Sequence, residues 1–128
     1  MAIDPGLVDW VTEALAPDGV VTMRPMMGGA MLYCDGIVFA LIHDGELWFK
    51  ADGDSDALWD AAGCDRFIYA MGEGRVGTFD YRRAPAEVYD DADAMREWAG
   101  HAVAAGMRAG PRRPRRRRAV RPQPPGTG

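Results

Sequence analysis

The sequence is poor in the residue types that most often carry catalysis or bind metals. Its 128 residues include two cysteines, two histidines and one lysine, with no C-x-x-C or H-x-x-x-H spacing. Because a zinc site needs three or four such ligands, we predict no metal site, and no motif indicates a cofactor. Cys34 and His43 form a candidate nucleophile–base pair if they are neighbours across a hairpin. His43 directly precedes an Asp-Gly turn, however, so we interpret it as a solvated turn residue and predict that the protein is not an enzyme.

Signals for secretion, membrane insertion and phosphate-loop binding are also missing. The N-terminus MAIDPGLVDW has no basic region followed by a long apolar run, and no run approaches the roughly 18 apolar residues of a membrane span. Gly28-Gly29 lies in neither phosphate-loop pattern and leads into a strand, where those patterns need a helix, so we assign the pair to backbone geometry. The two cysteines are expected as thiols in a reducing compartment. We therefore expect a cytoplasmic protein without membrane contact.

Basic and acidic residues are unevenly distributed. Residues 1–109 carry 8 basic and 19 acidic side chains, a net charge of −11, whereas residues 110–128 carry seven arginines and no acid. The last segment also holds five of the nine prolines and almost nothing to bury. A segment of this composition cannot offset its ordering entropy. We predict one domain over residues 1–109 and a disordered Arg/Pro-rich tail over residues 110–128.

The stretch from Arg24 to Lys50 predicts an antiparallel meander. Asp35-Gly36 and Asp44-Gly45 each separate runs rich in aromatic and β-branched residues, which favours type I′ turns because Asp and Gly tolerate positive φ. The run 37–43 is apolar on both faces, as in a central strand. Strict alternation there would place Ile37, Phe39 and Leu41 on one face and Val38, Ala40 and Ile42 on the other.

Apolar residues at helical spacing predict three helices. The first begins at Asp4-Pro5, the second lies within residues 52–63, and the third runs from about Asp91 to Arg108. In the second helix Leu58, Ala61 and Ala62 are expected to face inward. In the third, Gly100 and Gly106 each cost roughly 1 kcal/mol relative to Ala, which close packing against the sheet would offset.

The order of these elements predicts an α+β fold. A hairpin of strands 67–71 and 75–82 lies between the second and third helices. The predicted order is therefore a helix, three to four strands, a helix, two strands and a helix. We expect a single antiparallel β-sheet of about five to six strands with the helices packed on one face.

Several short motifs follow one another along this order. They are Arg24-Pro25-Met26-Met27-Gly28-Gly29, Tyr33-Cys34-Asp35-Gly36, Phe39-Ala40-Leu41-Ile42, Leu47-Trp48-Phe49-Lys50, Ala62-Gly63 with Phe67-x-Tyr69, and Tyr81 with Pro85-x-Glu87-Val88. In this order and spacing they resemble the N-terminal domain of the TfoX (Sxy) family over roughly residues 3–109. Met27 stands where that family prefers Phe.

The resemblance implies both a fold and a role. The fold would be similar to secretion-chaperone-like folds. Full-length TfoX members are positive regulators of natural competence genes and act with a cyclic-AMP-dependent activator. We therefore expect a stand-alone N-domain protein that is a non-catalytic regulatory or interaction module. Its partner would be a protein or the transcription machinery, and the module would be a monomer or a homodimer.

An alternative is a small-molecule or anion-binding protein, or a small enzyme, with a cleft near Arg24, Tyr33 and Lys50. Arg24 and Lys50 lie within the motifs of an acidic body, and they could instead be neutralised by ion pairs with nearby acids. The methionines around Gly28-Gly29 would form either core or an adaptable binding surface. The candidate interaction or anion-binding residues are Arg24, Met26, Met27, Gly28, Gly29, Tyr33, Lys50 and Tyr81.

The tail carries the most concentrated charge of the sequence. Guanidinium groups on an extended chain suit phosphate contacts, so weak, nonspecific nucleic-acid binding is one expectation and a solvated C-terminal segment is the other. The candidate tail residues are Arg112, Arg113, Arg115, Arg116, Arg117, Arg118 and Arg121.

Overall fold

The computed structural model describes residues 5–26, 28–72 and 75–110, and the side chains among these except those of residues 5 and 69–79. Asp4, Met27 and the Arg/Pro-rich tail therefore lie outside the described residues. No helix within the described part of the chain combines the length and the apolar character that crossing a bilayer would require.

Six strands form one antiparallel sheet, as the sequence predicts. The strands are β1 (Val21–Met26), β2 (Gly29–Cys34), β3 (Ile37–His43), β4 (Glu46–Lys50), β5 (Arg66–Gly72) and β6 (Arg75–Arg83), in the spatial order β1-β2-β3-β4-β6-β5. β1 is an edge strand and contains Pro25, which cannot donate to a further strand. Asp35, Gly36, Asp44 and Gly45 all have positive φ, which confirms the two predicted turns.

The third strand does not alternate in the predicted way. In the β2–β3 register Leu32 pairs with Ala40 and Tyr33 with Val38, so Phe39 is an extra residue at a bulge. Phe39 consequently joins Ala40 and Ile42 in the main core, while Leu41 belongs to a second cluster on the opposite face. The prediction that Phe39 and Leu41 share a face is wrong, because the bulge shifts the side-chain period by one residue.

All the helices contribute to a single core on one face of the sheet. Helices α1 (Pro5–Leu15) and α3 (Ala92–Ala109) contact each other, and α3 also lies against β3 and β4. Asp91 caps α3 by accepting hydrogen bonds from the amides of Asp93 and Ala94. A short 3-10 turn (Ala86–Tyr89) precedes that cap, and its Val88 side chain is buried in the same core. The predicted α+β architecture with helices on one face is confirmed.

Helix α2 (Asp56–Ala61) is shorter than predicted and buries different residues. Leu58 is 44% exposed and Ala61 and Ala62 are also exposed, whereas Trp59 is fully buried. The Trp59 ring lies 5.8 Å from Phe49 and 4.9 Å from Trp98, so it joins β4 to α3. The inward-facing set was therefore predicted wrongly, because in a helix of under two turns the largest apolar side chain decides which face is buried.

The two glycines of α3 have different environments. A Cβ on Gly106 would lie 2.3 Å from the carbonyl oxygen of Val38, so a side chain there would collide with the sheet backbone. Gly100 is exposed and has no atom within 4 Å of such a Cβ. Close packing against the sheet is thus confirmed for Gly106, and the same expectation is wrong for Gly100.

Candidate functional site

The face of the sheet opposite the helices carries a second, smaller cluster. Its buried members are Leu41, Trp48, Phe67 and Tyr81, all from strands, with Met31 packed against them. Because residues directly opposite in register, or two apart in one strand, share a face, this face also carries Arg24, Tyr33, His43, Lys50 and Arg83. The same register adds Val38 and Glu46. We call this set the open face: Arg24, Met31, Tyr33, Val38, Leu41, His43, Glu46, Trp48, Lys50, Phe67, Tyr81 and Arg83.

The structure brings together only part of the predicted cleft. Arg24 and Tyr33, from the paired strands β1 and β2, line one depression of about 400 Å³. Lys50 lies on β4, across β3 from Tyr33, and lines a different depression of about 320 Å³ together with Asp52 and Asp80. The ammonium of Lys50 lies 5.3 Å from the ring centroid of Tyr81, a cation–π arrangement. Arg24 with Tyr33, and Lys50, therefore line two separate depressions instead of one shared cleft.

Arg24 and Lys50 differ from the other described basic side chains of the body. Five arginines form ion pairs, at 3.1 Å for Arg66 with Asp56, 2.9 Å for Arg82 with Asp60, 3.3 Å for Arg96 with Asp18 and 2.7 Å for Arg108 with Asp52, and between Arg83 and Glu46. Among the described side chains no carboxylate lies at ion-pair distance from Arg24 or Lys50. Neither residue therefore forms an ion pair with an acid that the structure describes.

Trp48 is a residue of the open face whose role the sequence did not indicate. It is 6% exposed, and its indole N–H has no hydrogen-bond partner among the described residues. The Trp48 ring makes an edge contact with Phe67 at 4.9 Å, and the guanidinium of Arg83 lies 4.6 Å from its centroid. These residues and His43 line a depression of about 530 Å³. A buried indole N–H normally finds an acceptor, so this one is unusual.

The glycine pair shapes the turn between β1 and β2. Gly28 has a φ of +83°, which favours glycine, and a Cβ on Gly29 would lie 1.7 Å from the carbonyl oxygen of Ile42. Both residues are needed for the close approach of this turn to β3, in line with the predicted backbone role. Met26, in the adjacent edge strand, is half-buried.

Cys34 and His43 are not neighbours in the fold. His43 is opposite Gly29 in the register and Cys34 is opposite Ile37, so the two residues lie at opposite ends of the hairpin and cannot form the nucleophile–base pair that a neighbouring position would have allowed. Burial raises the pKa of the Cys34 thiol, and it does the same for Cys64. Both thiols are therefore protonated near neutral pH. The part of the chain that the structure describes holds no cluster of three or more metal-ligating side chains.

Comparison with known proteins agrees with the predicted resemblance. The chain matches the TfoX N-terminal domain family over residues 13–106. The DNA transformation protein TfoX1 of Aliivibrio fischeri (strain ATCC 700601 / ES114) is 37% identical over 63 residues, which cover 49% of this chain and 30% of that protein. The aligned region thus spans less than a third of that relative. Because the family match covers most of the described domain, including both Asp-Gly turns and the open face, the chain belongs to the TfoX N-terminal domain family.

Proposed function

We propose that the chain is a regulatory module of the competence type that acts in the cytoplasm by contacting a protein partner, while its Arg-rich tail contacts nucleic acid. The observation that carries this proposal is the family match over residues 13–106, together with the similarity to a protein named for DNA transformation. Other features support an interaction role and not catalysis. The thiols are buried and protonated, and the two basic residues that pair with no described acid lie on the sheet face opposite the three described helices.

The nucleic-acid part of the proposal rests on electrostatics. The body carries a net charge of −11, so it repels a polyanion, whereas the tail carries seven arginines. If all seven engaged duplex DNA, the slope of log K against log salt concentration would approach about −6. Binding that needs the tail and weakens steeply with salt is therefore the expected signature.

The first experiment measures binding of a fluorescent DNA duplex over a salt series. The full chain is compared with a variant in which the seven tail arginines are replaced by glutamine, and with R96Q/R108Q, which removes two charges from the body. We expect the tail variant to lose binding and R96Q/R108Q to retain it. Equal binding by all three proteins would place the contact in the body, and no binding by any of them would remove the nucleic-acid part.

The regulatory part is tested by direct binding to a purified cyclic-AMP-dependent transcription activator from the same organism. We expect saturable binding of the full chain in biolayer interferometry, retained in the tail variant because the body makes the contact. Absence of binding with and without cyclic AMP would contradict a role of the competence type.

A further inference from the structure

We propose that the open face is a docking site for an extended acidic segment of a protein partner, in which two carboxylates flank an apolar residue. This inference rests on the proposed interaction role and names the chemistry of the partner. Three features of the open face carry it: its charge, the spacing of its two unpaired cations, and the unpaired indole N–H of Trp48.

At its strand positions the open face carries more basic than acidic side chains, although the body as a whole is acidic. Among described strand side chains, three basic residues (Arg24, Lys50 and Arg83) and one acidic residue (Glu46) lie at positions of this face, a net charge of +2. Acidic residues also border it: Asp44, Glu46 and Asp65 line the depression at Trp48, and Asp52, Asp54 and Asp80 line the depression at Lys50. Since Arg83 is paired with Glu46 and with Asp65, the charge available to a partner is that of Arg24 and Lys50.

The two unpaired cations are spaced for an extended chain. Arg24 is in register with Met31, Leu41 and Trp48 across four strands, and Lys50 lies two residues beyond Trp48. Strands about 4.8 Å apart and two residues of offset separate the two Cα atoms by about 16 Å. Residues i and i+4 of an extended peptide are about 13 Å apart and point the same way. Two carboxylates four residues apart can therefore reach both cations.

Apolar surface lies between the two cations. Met31, Tyr33 and Val38 are half-buried on the described part of β2 and β3, so an apolar residue midway between the carboxylates would cover them. The buried cluster below is shielded by long side chains, since Arg83 lies over Trp48 and Lys50 over Tyr81. Side chains of this kind can be displaced at low cost, because their charged ends remain in water.

The indole of Trp48 supplies the polar contact. The other three tryptophans donate to acceptors within the domain: Trp10 to the carbonyl of Val88 at 2.8 Å, Trp59 to Ser55 at 3.2 Å and Trp98 to Glu87 at 3.4 Å. Only the N–H of Trp48 lacks one among the described residues. Leaving a buried donor unpaired is unfavourable, and a carbonyl or carboxylate of the partner would supply the missing acceptor on binding.

An acidic peptide fits this face better than nucleic acid does. Two cations neutralise at most two phosphates, which gives a salt slope of only about −2, while the surrounding body repels a dense polyanion. A peptide brings two carboxylates and an apolar residue without further negative charge. Contact between the open faces of two copies is a different arrangement, in which Arg24 and Lys50 of both copies would oppose one another.

The test follows the four indole N–H signals of the full chain in a ¹H–¹⁵N correlation spectrum. The probe is the capped peptide Asp-Ser-Phe-Ser-Asp, with Lys-Ser-Phe-Ser-Lys and Asp-Ser-Ala-Ser-Asp as controls. We expect the Trp48 signal, identified by its loss in W48F, to move downfield with the acidic Phe peptide as the N–H gains an acceptor. The signals of Trp10, Trp59 and Trp98 stay in place, and the lysine peptide binds at least about tenfold more weakly.

Surface variants separate docking from folding. R24Q/K50Q removes both unpaired cations from side chains that reach solvent, and we expect it to bind the acidic Phe peptide about tenfold more weakly. R96Q/R108Q removes the same charge from the helix side and is expected to bind normally. Equal affinity of the two double variants, or an unmoved Trp48 signal at saturation, would overturn the proposal.

Two further outcomes would also overturn it. Oligothymidine that shifts the Trp48 signal more strongly than the acidic peptide would assign the face to nucleic acid. A Trp48 signal that moves with protein concentration alone, together with a dimer in light scattering, would assign it to a second copy. Failure of the peptide test leaves the DNA and activator results unaffected, so it is distinguishable from failure of the proposed function.

Discussion

The two faces of the sheet are built from the same strands but differ in what covers them. On the helix side, Phe49 and its neighbours pack against residues of all three helices in one continuous core. On the open face, Trp48 and Tyr81 are covered by Arg83 and Lys50. The helix side therefore provides most of the folding free energy. On the open face, a binding partner can displace the side chains of Arg83 and Lys50. Adjacent residues of one strand, Trp48 and Phe49, thus serve different purposes.

The largest effect is expected from truncation on the helix side. Phe49 is fully buried and its ring lies 5.8 Å from that of Trp59. F49A should lower the free energy of unfolding by about 3–5 kcal/mol through lost burial and a residual cavity. The measurement is chemical denaturation, with F49L as the control that retains most of the volume. If F49A lowered the free energy of unfolding by less than W48A does, the open face would contribute more to stability than the helix side, which would contradict the comparison.

A second prediction compares the two glycines of α3. G106A should lower the free energy of unfolding by about 1–3 kcal/mol, because the new methyl group would meet the carbonyl of Val38 and the side chain of Ile37. G100A should raise it by about 0.5–1 kcal/mol, since the site is open and Ala is the better helix former. Thermal unfolding of both variants tests the pair, and equal effects would show that α3 does not lie against β3 as described.

On the open face, W48F should be close to neutral, within about 1 kcal/mol, because losing apolar area is offset by removing an unpaired donor. The same variant is expected to weaken binding of the acidic peptide, so stability and binding separate at this residue. Denaturation at neutral pH checks the first part. A destabilisation above about 2 kcal/mol would indicate that the indole N–H has a partner in the folded domain.

The smallest effect concerns an ion pair outside the two faces. Hydrogen bonds from the Arg108 side chain lower the pKa of Asp52 to about 2, and those from Ser55 act in the same direction. Since the folded-state pKa lies below the unfolded value, the stabilisation is present above about pH 4 and is lost as the pH falls toward 2. R108Q should lower the free energy of unfolding slightly at pH 7 and leave it almost unchanged near pH 2.

The control for R108Q is R96Q. Arg96 lies on the same helix as Arg108 and forms an exposed ion pair with Asp18. Urea titrations at several pH values would show R108Q diverging from wild type only above about pH 3, and R96Q gives the effect of removing a single exposed arginine from this helix. A cost for R108Q that does not change with pH would mean that Asp52 is not its energetic partner.

The sequence determined the parts of the fold that depend on neighbouring residues. The Asp-Gly pairs specified both turns because few residues tolerate positive φ, and Pro25 indicated an edge strand because it lacks an amide donor. Asp91 could be placed at the start of α3, where its carboxylate accepts the free amides. The family motifs also singled out Arg24 and Lys50, but they did not indicate that neither residue pairs with a described acid.

Only the tertiary structure decided which residues share a surface. The bulge at Phe39 and the insertion of β6 between β4 and β5 depend on pairings between distant segments, which local periodicity does not record. In α2, the space between β4 and α3 selected Trp59 over Leu58 for burial. The indole N–H of Trp48, which has no acceptor among the described residues, could not be predicted either. Whether a buried donor finds an acceptor depends on all the residues that the fold brings around it.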